Sequence, residues 1–119
     1  MHSNPRCVTH LLNCCEPWCA DGPNFERLQY AGFEAYDEPG YRLLDEHYTM
    51  TARPLLAKAC AENGRCLVHC AAGVNRSALV CAAFLVDYAG MELLPVVRLL
   101  KERRGCVLGN RSFRLQLLE

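Results

Sequence analysis

The stretch from Arg65 to Val86 limits what this chain can fold into more than any other. Arg65-Cys-Leu-Val-His69 is a short apolar run after the turn Asn63-Gly64, as a buried strand would be. Ala78 to Val86 is a long apolar run that reads as a buried helix. The linking residues, His69-Cys-Ala-Ala-Gly-Val-Asn-Arg-Ser77, have the form H-C-x5-R-S. Such a loop can turn the backbone N–H groups of Ala71, Ala72, Gly73, Val74, Asn75 and Arg76 inward on one tetrahedral anion. The unpaired amides and the macrodipole at the helix start favour negative charge there.

Each residue type suits that chemistry. A thiol titrating near ~8.5 is only about 3% ionised at neutral pH. Anion-binding surroundings bring cysteines to roughly 3.5–7.5. Reaching about 5.5 takes on the order of 4 kcal/mol, which several charge-assisted hydrogen bonds supply. Cys70 is then a nucleophile without a dedicated base. Arg76 offers a planar fork for two phosphate oxygens, which lysine cannot match. Gly73 permits a positive φ where the loop turns. Ser77 can donate its hydroxyl to the sulfur and help it leave in a second step. His69 is expected to order the loop backbone from behind. A buried structural cysteine beside a chance arginine is the plain alternative, but an arginine opening an apolar helix calls for an anion.

These residues resemble the cysteine-dependent protein tyrosine phosphatase superfamily, and within it the small atypical dual-specificity phosphatases. The resemblance runs through most of the chain. Val8-Thr-His-Leu-Leu-Asn13 is similar to the family's "ITHVLN" strand, and Tyr30 to Asp37 to the strand ending at its acid loop. Ala83-Phe-Leu-Val86 stands where the family often has Ala-Tyr-Leu-Met, and Gly109 to Leu117 resembles its closing helix. The implied fold is α/β: three layers, with a mainly parallel central sheet flanked by helices, in one domain spanning residues 1–119.

Phosphoester cleavage needs a proton donor for the departing oxygen. Asp37 is the expected one. It lies 33 residues before Cys70, close to the family's spacing, and precedes the turn Glu38-Pro39-Gly40. Glu38 and Asp45 are rival acids, with Asp45 better placed to face a helix dipole. The resemblance implies a two-step reaction. Cys70 attacks phosphorus, Arg76 and the loop amides hold the equatorial oxygens, and Asp37 protonates the leaving group. Asp37 then orients the water that hydrolyses a cysteinyl-phosphate. The mechanism calls for no metal and no other cofactor.

The expected partners are a phosphorylated protein substrate and a phosphate- or sulfate-like anion in the active site. Formal net charge is zero and no run approaches membrane-spanning length, so neither nucleic acid nor membrane is expected. The basic stretch Arg98 to Arg104 suits a helix C-terminus. Met1 to Arg6 lack the apolar core of a signal peptide, so the nine cysteines read as reduced thiols in a cytoplasmic or nuclear chain. Cys14, Cys15 and Cys19 find no second ligand pair spaced for zinc. Cys60, Cys66 and Cys81 read as small core residues. Cys14, Cys15 or Cys66 is a candidate for a reversible disulfide with oxidised Cys70.

Strands are expected near residues 8–13, 32–36 and 65–69, and helices near 43–62, 76–89, 92–104 and 111–118. Pro54 should kink or split the first helix. The chain begins almost at the "THLLN" strand, so relative to the family it reads as shortened at the N-terminus, and Arg111 replaces a usual proline or glycine. A shallow pocket would admit phosphoserine and phosphothreonine beside phosphotyrosine. The loop carries no lysine, which disfavours inositol lipids and leaves RNA 5′-phosphates open. A rhodanese-like sulfurtransferase would have one residue fewer before the arginine. A low-molecular-weight phosphatase would carry the motif at its N-terminus. The main alternative is a catalytically weak or inactive phosphoprotein-binding module. The sequence sets no oligomeric state.

Overall fold

The computed structural model describes residues 8–16, 28–36, 38, 41–70, 75–104 and 111–118. Three parallel strands lie in the order β2-β1-β3: β1 is His10–Asn13, β2 Gln29–Gly32 and β3 Cys66–His69. Leu11 pairs with Tyr30 on one side and Leu67 on the other. All four residues of central β1 are buried, the apolar Leu11 and Leu12 lying between polar His10 and Asn13.

The second strand begins earlier than its sequence suggests, at Gln29 instead of residue 32. Its ladder ends when the Phe33 N–H donates to the Asn13 carbonyl at 3.0 Å, because β1 stops there. Cys14 to Glu16 form a turn, closed by the Cys15 N–H on Asn13 Oδ1 at 2.9 Å. Phe33 and Ala35 are nonetheless buried. The alternation in Phe33-Glu-Ala-Tyr36 therefore records burial past the end of the strand ladder.

The expected helix 43–62 is divided. A turn spans residues 43–45, a π-helical turn spans Tyr48–Ala52, and helix α1 spans Arg53–Ala61. The Arg53 N–H donates to the Tyr48 carbonyl, five residues back. Pro54, which has no N–H to give, falls in the first turn of α1, where the ladder changes register. Asn63, with φ of 53°, ends α1 in the left-handed region, and the Gly64 N–H returns to the Ala59 carbonyl at 2.7 Å. A Cβ on Gly64 would sit 2.8 Å from the His10 ring, so the chain must have glycine there to enter β3.

Helices α2 (Arg76–Asp87), α3 (Leu93–Arg104) and α4 (Arg111–Leu117) complete the described fold, with α2 packed on β3, α3 and α4. Leu79, Val80, Val96 and Phe113 are fully buried, each worth about 1.5–3 kcal/mol of transfer free energy. Core cysteines differ from expectation. Cys14 and Cys15 are fully buried, Cys66 and Cys81 half-buried, and Cys60 exposed. Cys60 follows Ala59 out of the buried face of α1 (Leu55, Leu56, Ala59).

Candidate active site

The site lies at the C-terminal edge of the parallel sheet, where open α/β folds bind ligands. Cys70 directly follows β3 and is buried, and Arg76 opens α2 as anticipated. Ser77 holds the sulfur at two points: its N–H donates to Cys70 Sγ at 3.4 Å, and its hydroxyl oxygen, also at 3.4 Å, accepts from the Cys70 thiol. The two contacts come from the first turn of α2, the positive end of its dipole. When the sulfur is ionised, both groups point hydrogens at it. Ser77 is itself buried, so water does not compete. Asn75 is the N-cap residue of α2, and its side chain makes no capping hydrogen bond.

Arg76 Nη1 donates to the Ala35 carbonyl at 2.9 Å. This bond ties the start of α2 to the chain leaving β2. Arg76 Nε is buried and finds no hydrogen-bond partner among the described residues. An unsatisfied buried donor on a guanidinium costs roughly 1–3 kcal/mol or more. An oxyanion seated against the fork would recover that cost.

Among the other expected site residues, His69 belongs to β3, and its carbonyl accepts the Cys14 N–H at 2.8 Å. Ala71, Ala72, Gly73, Val74 and Asp37 lie outside the described residues. Of the rival acids, Glu38 is exposed, and Asp45 turns to Arg42 at 3.2 Å. Of the expected residues, Cys70 and Ser77 are in contact, and Arg76 opens the same helix as Ser77 with its guanidinium on the Ala35 carbonyl.

The disulfide candidates separate cleanly. The β1–β3 register places Asn13 beside His69, so Cys14 follows beside Cys70. Burial, then the neighbouring Cys81, Cys70 and Cys15 thiols, push the Cys14 thiol up. Cys15 directs its Sγ to Asn13 Oδ1 at 3.2 Å. Cys66 opens β3, four residues before Cys70 and so about 13 Å away along a strand. Its thiol, pushed up to about 12 by burial, is out of reach of Cys70.

Sequence reasoning missed the Ala35 carbonyl, which a side-chain pattern cannot reveal. It also missed Gln116 as a clamp: its Nε2 donates to the Tyr41 carbonyl at 2.6 Å and its Oε1 accepts the Leu44 N–H at 3.1 Å. Among the described residues, no three of His, Cys, Asp and Glu gather as a metal site, and no helix is long and apolar enough to cross a membrane.

A buried sulfur held against Ser77, at the start of a helix whose Arg76 Nε has no partner among the described residues, makes a candidate cysteine-centred anion site on an α/β sheet. The family pattern "Dual specificity phosphatase, catalytic domain" matches residues 6–119, and the chain belongs to that family. It is 36% identical over 115 residues to Dual specificity protein phosphatase 26 of Homo sapiens, covering 93% of this chain and 53% of that protein. The chain thus spans about half the length of the curated relatives it matches. The crystal structure of human DUSP28 is similar with a TM-score of 0.83 and 28% identity, over 96% of this chain and 78% of that one. The human tyrosine phosphatase-like serine/threonine/tyrosine-interacting protein shares the fold, with a TM-score of 0.83 at 23% identity, over 96% and 76% of the two chains.

Proposed function

We propose that the chain is a protein phosphatase acting on phosphotyrosine and on phosphoserine or phosphothreonine through a cysteinyl-phosphate. The supporting observation is the pairing of Cys70 Sγ with the Ser77 N–H and hydroxyl, on a helix whose first residue, Arg76, has a buried Nε with no partner among the described residues. Cys70 attacks phosphorus in line with the leaving oxygen. Arg76 and the amides of Ala71 to Arg76 stabilise the equatorial oxygens, worth about 10²–10³ in rate per donor. Asp37 protonates the leaving hydroxyl, a contribution of roughly 10²–10⁴. Sulfur must then depart from phosphorus, and the Ser77 hydroxyl 3.4 Å away donates to the thiolate as it forms. Asp37, now ionised, activates the attacking water. His69 supports the loop from β3.

Family membership supports this reading, as does the curated relatives' name. A reducing compartment, the cytoplasm or nucleus, suits a thiolate nucleophile with further thiols packed against it. Hydrolysis of an aryl phosphate by the purified chain is the test, with Cys70→Ser as comparison. Activity falling to background in Cys70→Ser, together with phosphate trapped covalently on Cys70 at low pH, is the expected result. No hydrolysis, with phosphopeptide binding retained, would leave a binding module instead.

A further inference from the structure

Past Phe33 the sheet ladder has ended, yet the carbonyls of Glu34 and Ala35 are both held. Burial alternates here, inward at Phe33 and Ala35 and outward at Glu34 and Tyr36, which is the period of extended chain. Successive carbonyls of an extended chain leave opposite edges. The Glu34 carbonyl accepts the Tyr41 phenol at 3.3 Å, and the Ala35 carbonyl accepts Arg76 Nη1 at 2.9 Å. Pinning the first peptide therefore fixes how the second carbonyl meets the guanidinium.

The Tyr41 phenol oxygen also lies 2.8 Å from His47 Nε2. A phenol has one proton to give. Both contacts are hydrogen bonds when His47 Nε2 donates to Tyr41 and the Tyr41 O–H donates to Glu34. The bonding pattern assigns that tautomer. Burial, then the Glu34 and Glu38 charges, push the Tyr41 phenol up, so it keeps its proton. His47 stacks on Phe33 at 4.7 Å between ring centroids, and Gln116 of α4 grips the Tyr41 carbonyl at 2.6 Å. Tyr41 is thus held through its phenol and through its backbone.

A guanidinium is a rigid plane. The bond from Nη1 sets the rotation of that plane, and with it the direction of the buried Nε that has no partner among the described residues. A fork that grips two oxygens of one anion tolerates little error, and a misplacement of about 1 Å can cost on the order of 10² in rate. We infer that Tyr41, through its hydrogen bond to the Glu34 carbonyl, is the positioning residue that sets the Arg76 guanidinium for a phosphate oxyanion, by way of the Ala35 carbonyl. The inference rests on the phosphatase reading above and deepens its anion site. Tyr41 acts only through Arg76.

The experiment is a double-mutant cycle read by phosphate binding. Iodoacetamide, an uncharged reagent, alkylates Cys70. Inorganic phosphate protects it, at a concentration that reports affinity without turnover. The full chain, Tyr41→Phe, Arg76→Lys and the double variant are compared at constant ionic strength, with Tm for each. Tyr41→Phe keeps the ring and removes the hydroxyl. It should need roughly fivefold more phosphate for half-protection, with Tm within a few degrees of wild type. Arg76→Lys should need roughly thirtyfold more. Adding Tyr41→Phe to Arg76→Lys should change protection by less than about twofold, since lysine has no fork to aim. The same shift in both backgrounds would show that Tyr41 acts on the fold at large and overturn the inference. So would an unshifted Tyr41→Phe beside a weakened Arg76→Lys, which leaves the phosphatase reading standing. Protection that ignores Arg76→Lys would remove the anion site itself, and the phosphatase reading with the inference. His47→Gln keeps an N–H for the phenol and should shift protection by less than about twofold. A shift as large as that of Tyr41→Phe would move the positioning to the stack on Phe33 and overturn the assignment to the phenol.

Discussion

At the N-terminal edge of the sheet, buried His10 gives one ring nitrogen to Thr9 at 2.6 Å and the other to Glu62 at 3.0 Å. Gln29 adds a third bond, to Glu62, at 2.8 Å. At the C-terminal edge of the same strands, Arg76 Nε is buried with no partner among the described residues, and Cys70 makes weak sulfur hydrogen bonds with Ser77. The first cluster joins β1, β2 and the end of α1 and satisfies its polar groups internally. The second holds back donors that an incoming anion would use. One end of the sheet spends its hydrogen bonds on folding, and the other reserves them for binding.

Replacing Arg76 should break this contrast most sharply. Arg76→Met removes the fork and the unsatisfied donor together. Activity should fall by about 10³ or more, while Tm holds within a few degrees, since an unpaired buried donor stabilises nothing. A fall of about 10 °C would show instead that the bond to the Ala35 carbonyl is a main support of the fold.

Oxidation probes the same edge. Neighbouring strands lie about 4.8 Å apart, within reach of the usual Cα separation of a disulfide. Hydrogen peroxide should convert the Cys70 thiolate to a sulfenic acid, releasing hydroxide. The Cys14 thiol then attacks that sulfur and expels water, and a thiol reductant restores both. Peptide mapping should find Cys14 joined to Cys70, with activity recovered by reductant. Cys14→Ser should instead accumulate sulfinic acid at Cys70. A crosslink through Cys15, or none, would reject this pairing. The raised Cys14 thiol makes the second step slow, since the thiolate is the attacking form.

These two edges were unequally legible in the sequence. Cys70, Arg76 and Ser77 could be read because eight consecutive residues carry them between a strand and a helix that both formed. Pro54 announced the break before α1 because its missing N–H leaves few alternatives. The position of β2 could not be read. Gln29-Tyr-Ala-Gly32 shows no apolar alternation, and its pairing is set by where β1 ends. The contacts of Ala35, Tyr41 and Gln116 could not be read for another reason, although Ala35 and Gln116 lie in stretches that carry the family resemblance. They act through backbone carbonyls and amides, across 41 residues from Ala35 to Arg76 and 75 from Tyr41 to Gln116. No local spacing encodes such contacts.

At the N-terminal edge the expected pattern reverses. His10→Ala leaves a cavity and strips a bond from both Thr9 and Glu62. Stability should fall by about 1–3 kcal/mol, measured by urea unfolding, with kcat on an aryl phosphate within twofold of wild type. A loss of activity exceeding the loss of folded protein would mean that the two edges are coupled through β1.

The smallest effect tests whether that network is electrostatic at all. The Gln29 hydrogen bond above all, then the His10 hydrogen bond and the Lys58 charge, hold the Glu62 carboxyl below its usual value against desolvation, which is second in size and opposes them. A carboxyl with a depressed folded pKa stabilises the fold fully above its unfolded value, near ~4.3. That contribution disappears as pH falls through the lower, folded value. Tm should therefore drop between about pH 6 and pH 3 more in wild type than in Glu62→Gln. The side chain is exposed, so the difference should be small and should shrink further in high salt. Parallel Tm curves for the two proteins would show that Glu62 acts as a neutral acceptor, and that shape alone holds His10 in place.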